Sequence, residues 1–219
     1  MDTTSLIKIY KKELADALDS IPYSRIDKFY RQIECCYRAQ STLYVCANGG
    51  SVGAVHNFVT DMNLHPFTLS DKTKTAGSRN GFKCVNLCSD TATITGIMND
   101  KGPDYIYSEQ LRYQMVPFTS DTLVCMSGSG NSPNILKAFE FAKKSEWSDG
   151  PSRWSTVLIT RNKNAKANEY ADLILCVDSY ESQFPGQQGS NNNNFYFEDI
   201  LFSLTHMVCG MLKRYIGND

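Results

Sequence analysis

Strand-like apolar segments alternate along most of this chain with segments whose apolar residues recur every three or four positions. The strand-like segments occupy residues 42–46, 83–87, 122–126, 154–160 and 172–177. The helical patterns between them occupy residues 52–63, 91–98, 104–114 and 133–144. Strands that alternate with helices predict an α/β fold in three layers (αβα), with a mostly parallel five-stranded sheet covered by helices on both faces.

Helical patterns also occur outside this alternation, at residues 5–17, 24–39 and about 195–215. The two leading helices and the long last helix are additional to those needed to cover both faces of a five-stranded sheet. We therefore expect the N-terminal helical segment, residues 1–40, to serve in an oligomer interface. Neither a repeat nor a linker interrupts the pattern, which predicts a single domain over residues 1–219.

Composition excludes several classes of function. A net charge of −1 gives no basic surplus for a nucleic-acid partner. No apolar run approaches the length of a membrane span, and the N-terminus lacks the pattern of a secretory signal. Three of the eight cysteines, Cys46, Cys125 and Cys176, lie inside strand-like runs, where a free thiol behaves as a small apolar side chain. These features predict a cytoplasmic protein with structural cysteines and no membrane partner.

Two stretches lack periodicity. Residues 65–82 are rich in Thr, Lys, Ser and Gly, and residues 181–194 contain Pro185-Gly186-Gln187-Gln188-Gly189-Ser190 followed by four asparagines. The second stretch has two interpretations: a surface loop, or an active-site loop that also caps the last helix, since asparagine is a good N-cap residue.

Two glycine and serine loops each stand between a predicted strand and a predicted helix. The first loop is Ala47-Asn48-Gly49-Gly50-Ser51, and the second loop is Ser127-Gly128-Ser129-Gly130-Asn131-Ser132. Glycines let the backbone turn tightly and approach a ligand closely, while serine hydroxyls and the free N–H groups of a helix start donate hydrogen bonds to anions. Two such loops in one chain indicate a phosphorylated small molecule as the ligand.

These loops resemble those of the sugar isomerase (SIS) domain family and, within it, the phosphoheptose isomerases. The first loop is similar to the family's GNGGS motif, with Ala47 in place of the first glycine. The second loop, continued by Pro133-Asn134, is similar to its STSGNSPN motif, with Gly128 in place of threonine. In the turn after the fourth strand, where the family has TGxDGG, this chain has Thr160-Arg161-Asn162-Lys163-Asn164.

Two further motifs support the resemblance and supply acid and base groups. Asn99-Asp100 is similar to an N-D pair of the family, and Glu198 with His206 matches its [QE]-x7-H pattern on the last helix. The family has a glutamate ten residues after the serine of the first loop, where this chain has Asp61. Leu201 replaces a second histidine that is common in close relatives.

The resemblance implies a role for each of these residues. Hydroxyls of Ser51, Ser127, Ser129 and Ser132 would hold the phosphate; Asn48, Gly49, Gly50 and Asp100 would line the substrate. The alternative for the serines is that they cap helices and stabilise turns, which is compatible with binding. Asp61 and His206 would share the proton transfers between C1 and C2 through an enediol. The resemblance also implies a homotetramer with sites at its subunit interfaces.

Members of this family often bind zinc, which makes Asp61, Glu198 and His206 candidate ligands for one Zn²⁺ per subunit. The family's additional histidine ligand corresponds to Asn57, and His56 diverges from Asp61 by about 140° around a helix. No organic cofactor is implied.

The function implied by the resemblance is aldose–ketose isomerisation of a sugar phosphate, with sedoheptulose 7-phosphate and D-glycero-D-manno-heptose 7-phosphate as the pair. The alternative is a non-catalytic SIS module that binds a phosphosugar effector or a protein partner, as the initiator-associating protein of DNA replication does. Retention of Asp61, Glu198 and His206 favours the enzyme, whereas Asn57 in place of a histidine favours the alternative.

Overall fold

A parallel five-stranded sheet forms the centre of the molecule. This computed structural model describes residues 1–69, 71, 81–114, 119–144, 154–178, 182–189 and 194–217. The strands are β1 (Thr42–Ala47), β2 (Lys83–Asn86), β3 (Thr122–Met126), β4 (Ser155–Thr160) and β5 (Leu173–Cys176). Their order across the sheet is β2-β1-β3-β4-β5, and every neighbouring pair is parallel. The predicted parallel sheet is therefore confirmed.

The described residues contain seven α-helices. They are α1 (Thr3–Asp19), α2 (Tyr23–Arg38), α3 (Val52–Leu64), α4 (Thr91–Lys101), α5 (Ile106–Gln114), α6 (Pro133–Lys144) and α7 (Asn194–Ile216). The helix predicted over 104–114 is in fact a short 3-10 turn at 103–105 followed by α5. Helix α4 extends three residues beyond its predicted end and stops at Gly102, whose φ of 96° ends the helical path.

Burial of β1 on both faces explains the three layers. Leu43, Val45 and Ala47 belong to a core cluster shared with α1, α2, α3 and α7. Tyr44 and Cys46 point the other way, into a cluster shared with α5 and α6. Because side chains of a strand alternate between faces, one apolar run serves both cores.

The two leading helices pack against α7 of the same chain. Tyr10 on α1 donates a hydrogen bond of 2.6 Å to Asp199, and the Glu13 carboxylate accepts from Tyr196 at 2.7 Å. Ile7 and Tyr23 nevertheless expose 55% and 85% of their surface. The role of residues 1–40 in an oligomer stays a prediction.

A side chain of the irregular segment before α7 accepts a hydrogen bond from the first turn of that helix, whereas the predicted cap by an asparagine falls on residues outside the described part. Gln187 is fully buried, and its Oε1 accepts a hydrogen bond of 2.6 Å from the backbone N–H of Phe195. Of the four asparagines, Asn194 is the first residue of α7, while residues 190–193 lie outside the described part of the chain, as does residue 181. In the other irregular stretch, residues 65–67 form a 3-10 turn, and residues 70 and 72–80 lie outside the described part.

All eight cysteines are free thiols. Burial raises the pKa of both Cys36 and Cys209 to about 12, so these thiols stay protonated and inert. Within the described residues, no helix combines the length and apolarity that crossing a membrane requires.

Candidate active site

The first and second loops lie side by side at the carboxyl edge of the sheet. They follow β1 and β3, which are neighbours, and Ala47 pairs with Met126 at the ends of these strands. The chain continues from β1 to β2 on one side and from β3 to β4 on the other, so the two loops flank the point where the strand order reverses. Ligands of parallel α/β sheets bind in the crevice at this position.

Two amides join the loops. The side chains of Asn48 and Asn134 exchange two hydrogen bonds of 2.9 Å each, which ties the first loop to the first turn of α6. The buried hydroxyl of Tyr107 donates to the carbonyl oxygen of Ala47 and lies 3.2 Å from Asn48 Oδ1. Burial raises the pKa of Tyr107 well above its usual value, so the hydroxyl remains a donor. Sequence reasoning missed Tyr107 because a helical tyrosine resembles any other core aromatic.

The second loop is ordered by its own serines. Ser127 Oγ accepts from the N–H of Gly130 at 3.1 Å, and Ser129 Oγ accepts from that of Asn131 at 3.2 Å. The carbonyl of Ser132 accepts from Leu136, which makes Ser132 the N-cap residue of α6. A hydroxyl that accepts a bond still has its own proton to donate. The turn-stabilising role of these serines is thus confirmed and leaves donors for an anion.

The first loop is packed against a carboxylate. Ser51 is buried and ends a 3-10 turn over Gly49–Ser51, in which Gly49 has φ 60°. A Cβ added at Gly50 would lie 2.6 Å from Glu198 Oε2, so a side chain at this position would displace the Glu198 carboxylate from the first loop. Glu198 Oε1 also accepts from Asn194 at 3.2 Å. Glu198, on the last helix, therefore lies beside the first loop.

The proposed acid and base residues contact each other. Asp61 Oδ2 on α3 lies 3.4 Å from His206 Nε2 on α7, and Asn57 Oδ1 lies 2.9 Å from the same nitrogen. Both neighbours of Nε2 are acceptors, which favours the tautomer with its proton on Nε2 and its lone pair on Nδ1. Asn57, which sequence reasoning treated only as a lost histidine, thus orients the His206 ring.

The three predicted metal ligands, Asp61, Glu198 and His206, do not point to a common position. Glu198 precedes His206 by about 12 Å along the helix axis and packs on Gly50 instead. His56, as expected, points elsewhere: its Nδ1 is 3.1 Å from Asn86 Nδ2. In the part of the chain that the structure describes, no three His, Cys, Asp or Glu side chains are placed to hold a metal ion. Asp61 and His206 supply two donors, so these side chains do not fit a complete zinc site.

Asp100 lies apart from this group. It is exposed near the end of α4, and its carboxylate accepts a hydrogen bond of 2.9 Å from Asn99 rather than from either loop. Its role in substrate binding stays a prediction.

Sequence reasoning treated Arg161 only as a departure from the family's motif. Its backbone N–H donates to the Gly128 carbonyl at 3.2 Å. A Cβ added at Gly128 would lie 3.0 Å from Arg161 Nε. Burial lowers the pKa of the Arg161 guanidinium, and the Glu198 carboxylate opposes that shift. A cation thus lies beside the second loop.

A cavity of about 400 Å³ lies at the opposite edge of the sheet. It opens between α2 and the amino ends of β3, β4 and β5, and Arg25, Lys28 and Arg31 are among its lining residues. It contains none of the predicted site residues, so the loops rather than this cavity mark the candidate active site.

Solved structures share the fold of this chain. The fold matches a phosphoheptose isomerase from Francisella tularensis with a TM-score of 0.76, covering 98% of this chain and 100% of that one at 20% identity. It matches the phosphoheptose isomerase GmhA from Neisseria gonorrhoeae with a TM-score of 0.75, covering 96% and 98% at 20% identity. The sheet and the helices that cover it therefore have the SIS fold.

Sequence comparison then shows the family. The chain is 34% identical over 199 residues to the phosphoheptose isomerase of Shewanella piezotolerans, covering 91% of this chain and 87% of the relative. It is 24% identical over 209 residues to that of Helicobacter pylori, covering 95% and 93%. No family model matches the chain. The chain belongs to the phosphoheptose isomerase family and is an aldose–ketose isomerase, and the non-catalytic alternative is not favoured.

Proposed function

We propose that this enzyme interconverts sedoheptulose 7-phosphate and D-glycero-D-manno-heptose 7-phosphate. The observation that carries the proposal is the contact between Asp61 and His206 on helices that border the first loop. The names of the relatives in Shewanella and Helicobacter support the choice of a heptose phosphate.

The two loops would anchor the phosphate. Hydroxyls of Ser51, Ser127, Ser129 and Ser132 are donors that suit its oxygens, and the N-terminus of α6 adds the positive end of a helix dipole. Asn48 would contact the sugar from the joint between the loops, where its amide is already fixed by Asn134. An anchored phosphate sets how far C1 and C2 lie from the acid and base groups.

Asp61 and His206 would move the protons. Conversion of the ketose removes a proton from C1 and adds one to O2, which gives the enediol; a proton is then added at C2 and removed from O1. Asp61 Oδ2 and His206 Nε2 lie 3.4 Å apart, so the two groups can act on one substrate from neighbouring positions. Zinc stays a prediction, and no step here is routed through it.

Our proposal also includes a cytoplasmic homotetramer, with residues 1–40 in its interface. The exposed apolar side chains of Ile7, Tyr23 and Tyr215 support an interface on the surface formed by α1, α2 and α7. Eight free thiols support a reducing compartment. Light scattering on the purified chain tests the tetramer directly.

The first experiment follows sedoheptulose 7-phosphate by NMR in D₂O with the purified chain. We expect an aldose phosphate with deuterium at C2, because a proton held on a side chain exchanges with solvent before it is returned. Parallel samples with a chelator or with added zinc show whether turnover requires a metal. Thermal stabilisation by sugar phosphates without any turnover would contradict the proposal and favour an effector-binding module.

A further inference from the structure

The turn after β4 is fastened to the second loop by three hydrogen bonds. Thr160 Oγ1 and the N–H of Arg161 both donate to the carbonyl of Gly128, at 3.1 and 3.2 Å. Asn162 Nδ2 donates to the carbonyl of Ser129 at 2.8 Å. The backbone of Arg161 is therefore held in a fixed position beside the predicted phosphate loop.

The side chain of Arg161 takes the space where a side chain at position 128 would lie. A Cβ at Gly128 would meet Arg161 Nε at 3.0 Å, Arg161 Cδ at 3.7 Å and Phe197 Cδ1 at 3.7 Å. The two departures from the family's motifs, glycine at 128 and arginine at 161, are thus in direct contact. Phe197 precedes Glu198, whose carboxylate packs on the first loop. Arg161 Nε and Cδ therefore lie beside Gly128 together with the Phe197 ring, near the start of α7.

Arg161 supplies a positive charge that the two loops themselves lack. Neither the first loop, 47–51, nor the second, 127–132, contains a basic residue, so their donors to a phosphate dianion are all neutral. The adjacent Glu198 adds a negative charge, with which Arg161 interacts electrostatically. Arginine is the side chain best suited to a phosphate, because its planar fork donates two parallel hydrogen bonds and keeps its charge when buried.

We propose that Arg161 binds the phosphate of the substrate from the side of the second loop, and that Gly128 is required because it admits the guanidinium. This inference rests on the proposed function, which identifies the sugar that bears the phosphate. In the free enzyme the Glu198 carboxylate interacts electrostatically with Arg161, and in the complex the phosphate adds a second anion near the guanidinium.

The test compares Arg161→Gly with Arg161→Lys and with Lys163→Gly as the matched control. Lys163 carries the same charge in the same turn, but it is exposed and pairs with Asp178 at 2.9 Å. For Arg161→Gly we expect KM for sedoheptulose 7-phosphate to rise about 10- to 100-fold with kcat within about 3-fold, since charged hydrogen bonds are lost in both ground and transition states. Arg161→Lys should show an intermediate KM, and Lys163→Gly should match the wild type.

Binding of inorganic phosphate, measured by calorimetry, provides a readout without turnover. Its Kd should rise in Arg161→Gly by about the same factor as KM, even if the natural sugar is a different one, so failure of the substrate assignment is distinguishable from failure of this inference. Gly128→Thr should also weaken phosphate binding by displacing the guanidinium, and it should cost nothing further when combined with Arg161→Gly. The inference is overturned if Arg161→Gly changes phosphate Kd no more than Lys163→Gly does, or if kcat falls while KM and Kd stay constant.

Discussion

The first and second loops are similar in sequence, but the side chains packed against them carry opposite charges. Glu198 lies against the first loop and Arg161 against the second. Asp61 and His206 lie on the helix that follows the first loop and on the helix that packs against it. Two loops rich in glycine and serine thus acquire different additional tasks from their tertiary neighbours. Serines of both loops would hold the phosphate, but we expect proton transfer only beside the first loop and a charged contact to the phosphate only beside the second.

The largest expected effect is that of His206→Asn, on the side of the first loop. Asparagine cannot act as acid or base, so kcat should fall about 10²- to 10⁴-fold, a range typical of general acid–base catalysis. Phosphate binding should be unchanged, because the His206 ring contacts Asp61 and Asn57 on α3. Steady-state kinetics together with phosphate calorimetry measure both quantities.

His56→Asn is the matched control, since this histidine lies on α3 and contacts Asn86 rather than the acid–base pair. We expect its kcat to equal that of the wild type. A loss of phosphate affinity in His206→Asn would contradict the division of tasks between the two sides.

Next in size is the effect of alanine at glycines with positive φ, one in each loop. Gly130 has φ 61°, and an added Cβ would overlap the Cβ of Ala165, whereas Gly49 has φ 60° and open space around the added atom. Gly130→Ala should lower the free energy of unfolding by about 2–5 kcal/mol, from strain plus overlap. Gly49→Ala should lower it by about 1–2 kcal/mol, from strain alone.

Urea unfolding followed by circular dichroism gives both values. Equal losses at Gly130 and Gly49 would show that the second loop tolerates more rearrangement than its packing against Ala165 implies.

The smallest expected effect concerns the pair of hydrogen bonds between Asn48 and Asn134, which links the first loop to α6. Asn48→Ala removes both amide hydrogen bonds to Asn134 and should lower the free energy of unfolding by about 1–2 kcal/mol. Asn134→Ala should cost a similar amount, and the double variant should cost less than the sum, because both changes remove the same pair. Strict additivity in urea unfolding would mean that the loops are held together by other contacts, such as that of Tyr107.

The sequence predicted the fold well because burial patterns are local. Residues 43–46 are apolar without alternation, and β1 is indeed buried on both faces. The N-cap position of Ser132 was predictable from the proline that follows it. Helix ends were predicted less well: α4 ends three residues later than predicted, and α5 begins two residues later. At the start of α7 a residue outside the helix contributes, since Gln187 lies seven residues before the helix begins and accepts a hydrogen bond from its first turn.

The site was predictable only where a motif names the residue. Asp61 and His206 were identified by spacing, and the structure brings them together. Asn57 shares a face of α3 with Asp61, a signal visible in the sequence, yet its hydrogen bond to His206 depends on how α3 packs against α7. Arg161 follows β4, and only the neighbouring positions of β3 and β4 in the sheet place it beside Gly128.

By itself, then, the sequence determined the alternation of strands and helices, the two loops and the family, because apolar periodicity and short motifs are properties of neighbouring residues. Tertiary structure decided which charge stands beside each loop, and it did so through contacts between residues far apart in the chain. Gly50 with Glu198 and Gly128 with Arg161 are such pairs. Their geometry follows from strand order and helix packing, which no local pattern encodes.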